Sequence, residues 1–263
     1  MWDLRISMIQ TDLHWEQPAA NMAMFEEKIW AQVKDVDVIV LPEMFTTGFS
    51  MNAATLAEPP RTNTYKWMHQ IAKQKSALVI GSYMAKDGGH YYNRLYAVFP
   101  DGQSEYYDKR HLFALGEEDK YYKRGEQNTI INWKGWKICP LICYDLRFPT
   151  WARNKYDNGI FDYDLLIYVA NWPKPRIESW NTLLKARAIE NQSFVAGVNR
   201  IGTDEVGHHY SGNSGIYDFL GNTLDFGQDH DTIVSSSLNG DSMVKFRTKY
   251  PFLKDSDKFE IKD

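Results

Sequence analysis

Three segments of this chain carry side chains that could share one reaction: Glu43 in LPEMF, Lys109 in YDKRHLF and Cys143 in LICYDLRFP. A thiol is a nucleophile, a carboxylate can take and return a proton, and an ammonium can hold a developing oxyanion. Cleavage of a carbon–nitrogen bond through a thioester needs that set. Glu43 and Cys143 each follow an apolar run, 36–41 and 138–142, that reads as a buried strand. Pro42 cannot donate to a ladder, so the first strand should stop there and leave Glu43 on the loop. After Ile142 the chain reads Cys-Tyr-Asp and then Phe148-Pro149. A sharp strand-to-helix turn would expose Cys143 at its apex and aim backbone N–H groups outward, that of Tyr144 among them. A short helix over 149–155 is expected to follow.

Taken singly, each residue has an ordinary structural reading. A cysteine ending an apolar strand is commonly a small buried side chain. Glu43 could cap a helix or lie on the surface, and Lys109 stands between Asp108 and Arg110 in what could be a solvated run. The three together, in this order, outweigh those readings. Cys139 has no such context and is expected in the core. A cysteine–histidine pair using His111 or His209 as base is the competing mechanism, and a non-catalytic binding module is the competing class.

These segments resemble the Glu-Lys-Cys signature of the nitrilase (carbon–nitrogen hydrolase) superfamily, with a likeness running from ISMIQTDLHWE to SGNSGIYDFLGNTL. The stretch VANWPKPRIESWNTLLKARAIENQSFVAGVNRIGTD is similar to the bacterial omega-amidase branch, whose members hydrolyse the side-chain amide of 2-oxo acid amides. The resemblance implies Glu43 as general base, Lys109 as oxyanion clamp, Cys143 as nucleophile and Glu118 as a supporting glutamate, with Glu117 the alternative. Tyr144, through its backbone N–H, and Trp172, placed beyond a strand end after Ala170-Asn171, are the candidate substrate contacts. It also implies an α/β fold, the four-layer alpha-beta-beta-alpha sandwich. A hydrolase domain would cover 1–240, and a tail over 241–263 would reach a partner subunit in a homodimer. The substrates would be short amides such as 2-oxosuccinamate and 2-oxoglutaramate. A nitrile, a carbamoyl amino acid or deaminated glutathione are the alternatives. Such a monoamide carries a carboxylate, for which Arg147 and Arg176 are candidate partners.

The elements that must position these residues follow from periodicity. Met22, Phe25, Ile29 and Val33 mark one face of a helix over 21–33, and 64–75 reads as a second, with Trp67 and Ile71 on one side. Strands are expected over 4–10, 78–83, 91–99, 103–107, 165–170, 193–199, 214–218 and 232–238, with a hairpin of 129–133 and 136–142, a loop over 115–127 and a long helix over 176–191. Such alternation argues for sheets covered by helices. If the strands delivering Glu43, Lys109 and Cys143 are parallel neighbours, their ends meet at one edge of a sheet. The tail carries Phe246, Tyr250, Phe252 and Leu253 with no clear period, so those groups need cover.

Composition narrows the partners. The net charge is −4 across 263 residues, and the basic residues form no stripe, which argues against nucleic acid. The two cysteines lie four residues apart, roughly 13 Å along a strand, against the limit of about 7 Å for a disulfide. That reads as a reducing, cytoplasmic chain. No apolar run approaches the roughly 20 residues of a membrane span. His208-His209 and Asp229-His230-Asp231 lack a second spaced set of ligands, so no metal is expected. No glycine-rich phosphate loop appears, and no cofactor is expected. Trp133, Trp136 and Trp151 read as packing; Arg187 and Glu190 lie in a segment that matches the family, and could equally form a structural ion pair within a helix.

Overall fold

Both faces of the strands have to be covered, and Val-Ile-Val-Leu at 38–41 shows how. The computed structural model describes residues 3–262. Val38 and Val40 pack into a core between two sheets, whereas Ile39 and Leu41 pack into a second core beneath helices. Successive side chains of a strand point to opposite faces, so a strand buried on both sides needs an unbroken apolar run.

The first half of the chain forms β1 (Leu4–Gln10), α1 (Pro18–Gln32), β2 (Val38–Val40), α2 (Ala53–Leu56), α3 (Asn63–Lys75), β3 (Leu78–Asp87), β4 (His90–Val98), β5 (Ser104–Asp108), α4 (Glu118–Tyr121), β6 (Ile131–Trp133) and β7 (Trp136–Ile142). The second half adds β8 (Tyr156–Asp157), β9 (Ile160–Phe161), β10 (Leu165–Ala170), α5 (Ile177–Asn191), β11 (Phe194–Asn199), β12 (Ile201–Thr203), β13 (His209–Ser211), β14 (Gly215–Tyr217), β15 (Thr223–Phe226), β16 (Thr232–Leu238) and α6 (Gly240–Lys249). Two six-stranded sheets result, ordered β16-β1-β2-β3-β4-β5 and β15-β14-β11-β10-β7-β6. Each has a parallel centre, β1–β2–β3 and β7–β10–β11, finished by antiparallel strands. Phe25, Ile29, Met68 and Ile71 of α1 and α3 cover the outer face of the first sheet. Trp180, Leu184 and Ala188 of α5 join the core of the second. The chain is thus an α/β sandwich of four layers.

Three local expectations are corrected. Residues 149–155 are not a helix: a 3-10 turn forms at once over Cys143–Arg147. The buried Asp145 carboxylate accepts the N–H of Ile142 at 3.0 Å and pulls the chain into that turn, and the residue before Pro149 is disfavoured from continuing it. The 115–127 loop contains α4. The tail, finally, is helical. Asn239 caps α6 by accepting the N–H of Ser242 at 2.7 Å, and the helix buries Met243 and Arg247. A charged residue at the buried position four after Met243 is what hid the helical period. The short strands β8, β9, β12, β13 and β15 also escaped the reading, being only 2 to 4 residues long.

Arg247 fastens the tail to the second sheet. Its guanidinium donates to Asp164 Oδ1 at 2.7 Å, to the carbonyl of Tyr163 at 2.9 Å and to that of Gln192 at 2.8 Å. Arg247→Ala leaves a buried carboxylate without its partner and is expected to cost about 3–5 kcal/mol in denaturant unfolding. Lys245→Ala, on the exposed face of α6, should stay within about 0.5 kcal/mol.

Candidate active site

Glu43, Lys109 and Cys143 come together, but from two sheets rather than one sheet edge. Glu43 follows β2 and Lys109 follows the edge strand β5 of the first sheet, while Cys143 follows β7 of the second. The expectation of parallel neighbours is overturned because β2 is flanked by β1 and β3, and β5 runs antiparallel to β4. Stacking of the sheets, not pairing within one, brings the strand ends opposite each other.

Lys109 Nζ lies 2.7 Å from Glu43 Oε1, and 3.1 and 2.9 Å from Oε1 and Oε2 of Glu118. All three side chains are at most 1% exposed. Asn93 Nδ2 donates to Glu43 Oε1 at 2.8 Å and to Glu118 Oε1 at 3.1 Å. The N–H of Phe113 reaches Glu118 Oε2 at 2.7 Å, and the N–H of Asn171 reaches Glu43 Oε2 at 2.8 Å. A carboxylate oxygen has two acceptor sites. Both oxygens of Glu118 and Oε1 of Glu43 are therefore filled, and among the described residues Glu43 Oε2 keeps one site free of a backbone or amide donor. Glu117 takes no part: it is exposed and pairs with Lys120 at 2.6 Å. Its backbone, at φ 59°, turns the next residue inward.

Burial acts on each charge here. It opposes the Lys109 ammonium, but the charges of Glu118 and Glu43 outweigh it and hold the ammonium above its ordinary range. Burial also raises Glu118, against the pull of Lys109. For Cys143, burial first and the charge of Glu43 second push the thiol well above its ordinary value. The resting group is a thiol, not a thiolate.

The turn that presents this thiol is built by Asp145. Besides Ile142, its carboxylate accepts from Tyr107 Oη at 2.8 Å and from the N–H of His111 at 3.0 Å, and it meets His111 Nδ1 at 2.7 Å. Cys143 itself takes φ 42°, a strained backbone for a side chain with a Cβ. The first N–H groups of a helical turn have no partner within it, which leaves that of Tyr144 directed away from the turn. His111 is taken up by Asp145 and stacks on Phe148 with ring centres 3.8 Å apart. Neither it nor His209 lines the cleft at Cys143; the histidine that does, His208, is exposed and meets Asp204 at 3.3 Å.

That cleft has a volume of about 200 Å³ with Lys109 and Cys143 in its lining. Phe49, Phe113, Tyr144 and Trp172 form apolar walls. Arg147 lies over the Trp172 ring at 4.8 Å and Arg176 over Phe113 at 5.3 Å. Both line the cleft, and neither guanidinium has a carboxylate partner among the described residues. Two larger recesses, of about 400 Å³ along β5 and about 470 Å³ beside α6, hold no thiol, and a third of about 460 Å³ reaches the buried Cys139. Cys139 is buried in the core, and Arg187 pairs with Glu190 at 2.9 Å. Among the described residues no cluster of three or more His, Cys, Asp or Glu is arranged to hold a metal ion. Sequence patterning missed Asn93, Asn171 and Asp145. The available signal was a polar residue within an otherwise buried run, as at Asn93 in β4.

A thiol, a carboxylate with one open acceptor site and a fixed ammonium around one cleft suit hydrolysis of a carbon–nitrogen bond. The carbon–nitrogen hydrolase family model matches residues 5–247. The chain is 43% identical over 260 residues to omega-amidase YafV of Yersinia enterocolitica, covering 98% of this chain and 99% of that one. It is 34% identical to 2-oxoglutaramate amidase of Bacillus subtilis (strain 168), covering 95% and 96%. XC1258 of Xanthomonas campestris, a CN-hydrolase superfamily protein with an arsenic adduct in its active site, matches with a TM-score of 0.97 at 40% identity over 100% of both chains. The chain belongs to the carbon–nitrogen hydrolase family, the nitrilase superfamily, and is a hydrolase of carbon–nitrogen bonds other than peptide bonds.

Lys109→Met leaves two buried carboxylates to share a proton in the folded protein. A carboxyl held above its unfolded value stabilises at low pH, and that contribution is lost as pH rises through the folded value. The variant should lose about 3–5 kcal/mol near neutral pH. Its melting temperature should be lower at about pH 8 than at about pH 5.5, by more than in the parent.

Proposed function

We propose that the chain is an omega-amidase that converts short 2-oxo acid monoamides, 2-oxosuccinamate and 2-oxoglutaramate, to the 2-oxo dicarboxylate and ammonia. The observation that carries the chemistry is the single open acceptor site on Glu43 Oε2, in a buried carboxylate pair bridged by Lys109 beside the Cys143 thiol. The relatives described as omega-amidase and 2-oxoglutaramate amidase support the substrate class.

Because the resting sulfur is protonated, its attack on the amide carbon is coupled to proton transfer to Glu43. The ammonium has three hydrogens. One serves Glu43, one is shared by the oxygens of Glu118, and the third, with the N–H of Tyr144, holds the oxyanion. Glu43 then gives its proton to the departing nitrogen, the carbon–nitrogen bond breaks and ammonia leaves the thioester. Water attacks next, losing a proton to Glu43. Collapse of the second tetrahedral intermediate breaks the carbon–sulfur bond, and the proton returns to sulfur. Glu118 keeps Lys109 charged and fixed throughout. Arg147 and Arg176 take the substrate carboxylate, each braced on an aromatic face, while Trp172 and Tyr144 flank the acyl chain.

The same reading assigns residues 1–240 to the hydrolase domain and 241–263 to a tail at a homodimer interface. Around α6 the side chains of Ile189, Leu220, Val244 and Phe252 are exposed, and a second copy is their expected cover. Two free cysteines support a reducing, cytoplasmic setting.

A panel scored by ammonia release tests the substrate class: the two 2-oxo acid amides, glutamine, deaminated glutathione, a carbamoyl amino acid and a nitrile. The 2-oxo acid amides should show the highest kcat/KM, and preference for the nitrile or the carbamoyl compound would replace this reading. Cys143→Ala should abolish turnover and Cys139→Ala retain it. Arg147→Met and Arg176→Met should each raise KM by about 10-fold or more for an anionic amide and not for a neutral one. Sedimentation should give a dimer that Phe252→Glu dissociates.

A further inference from the structure

Asn93 touches every part of the buried charge cluster, yet it has no role in the chemistry above. It lies on β4, fully buried. The two hydrogens of its amide nitrogen are both used, one on each carboxylate. Its own carbonyl accepts the backbone N–H of Lys109 at 3.0 Å. Its Oδ1 has no partner among the described residues. The opposite orientation of the amide would place that oxygen between two carboxylates, so the charges fix the one observed. The residue leaves one of its own acceptors unsatisfied in order to donate twice.

The two oxygens of Glu43 are thereby made unequal. Oε1 is held by Lys109 and Asn93, whereas among the described residues Oε2 accepts a single backbone N–H, that of Asn171. Asn171 also donates its side-chain amide to the Glu43 carbonyl at 2.6 Å, and its own carbonyl lies 3.9 Å from the Cys143 sulfur. The open oxygen and the sulfur therefore border the same residue.

We propose that Asn93 is a positioning residue: by occupying Oε1 of both Glu43 and Glu118, it makes Oε2 of Glu43 the oxygen that exchanges protons with Cys143 and with water. This rests on the amidase reading. Lys109, Cys143, Tyr122 and Tyr210 are the other titratable groups around the pair. The two tyrosines donate elsewhere, to the carbonyl of Ser50 at 2.7 Å and to Asp204 at 2.8 Å, so neither replaces the lost donor.

The test compares Asn93→Leu, close in shape, and Asn93→Ala, which adds no bulk, with the parent. Loss of a donor to the ionised pair makes its protonation easier, and the pair must be ionised to act as base. The acid limb of the kcat/KM profile should move to higher pH by about one unit. kcat should fall about 10–100-fold while KM stays within about twofold. Alkylation of Cys143 by iodoacetamide, followed by intact mass, requires the same base and should show the same displaced limb. A parent that alkylates normally but releases no ammonia from any amide would fail the amidase reading alone. Folded Asn93 variants whose acid limb stays in place in both assays would overturn the role of Asn93, whatever their stability.

Discussion

One buried ammonium shared by two buried carboxylates is the interaction on which this site depends. A lone charge at that depth would not remain ionised, because desolvation outweighs any gain from packing. Lys109 between Glu43 and Glu118 solves this for all three, and Asn93, Phe113 and Asn171 supply neutral donors for the carboxylate oxygens that the ammonium leaves short. The cluster is still one positive charge against two negative ones. Burial first, and the negative charge of Glu43 second, keep the neighbouring thiol protonated. On the proposed mechanism a protonated sulfur needs a base within reach, and Glu43 of the same cluster is the carboxylate proposed for it.

The scaffold follows from that demand. Glu43 is anchored to the first sheet, where the N–H of Phe45 meets the carbonyl of Ser82 at 3.0 Å and that of Met44 the Ser82 hydroxyl at 2.9 Å. Cys143 is anchored to the second sheet through Asp145. Two stacked sheets hold the Glu43 carboxylate and the Cys143 thiol on separate rigid supports, and the core between them fixes their separation. Asn171, at the end of β10, crosses that gap with two hydrogen bonds to Glu43. The strained φ of Cys143 persists because Asp145 determines the turn from several sides at once.

Much of this was legible beforehand because period and punctuation are local properties. The strands 4–10, 165–170 and 232–238 were readable to the residue, since both their faces or one clear face are apolar and turn residues bound them. Pro42 marked the position of Glu43, and the run ending at Ile142 marked Cys143. The helix over 149–155 was misplaced because a buried aspartate, not helix propensity, determines where that turn begins. The tail read as aperiodic because its anchor, Arg247, is charged; only Asp164 and two carbonyls from distant segments make that position a buried one.

Residue types and order by themselves determined the candidate set: a thiol, a carboxylate and a cation at three segment ends, and a chain rich enough in buried strands to bring them together. Tertiary structure alone decided how they meet. Which sheet each belongs to, which of two adjacent glutamates turns inward, and which carboxylate oxygen is left open depend on groups far apart in sequence. Glu43 and Asn171 are separated by 128 positions, Lys109 and Glu43 by 66. Hydrogen bonds of that range leave no periodic trace in the chain. An asparagine that donates to two acids looks, in sequence, like any polar residue on a strand, because its partners exist only once the sheets have stacked.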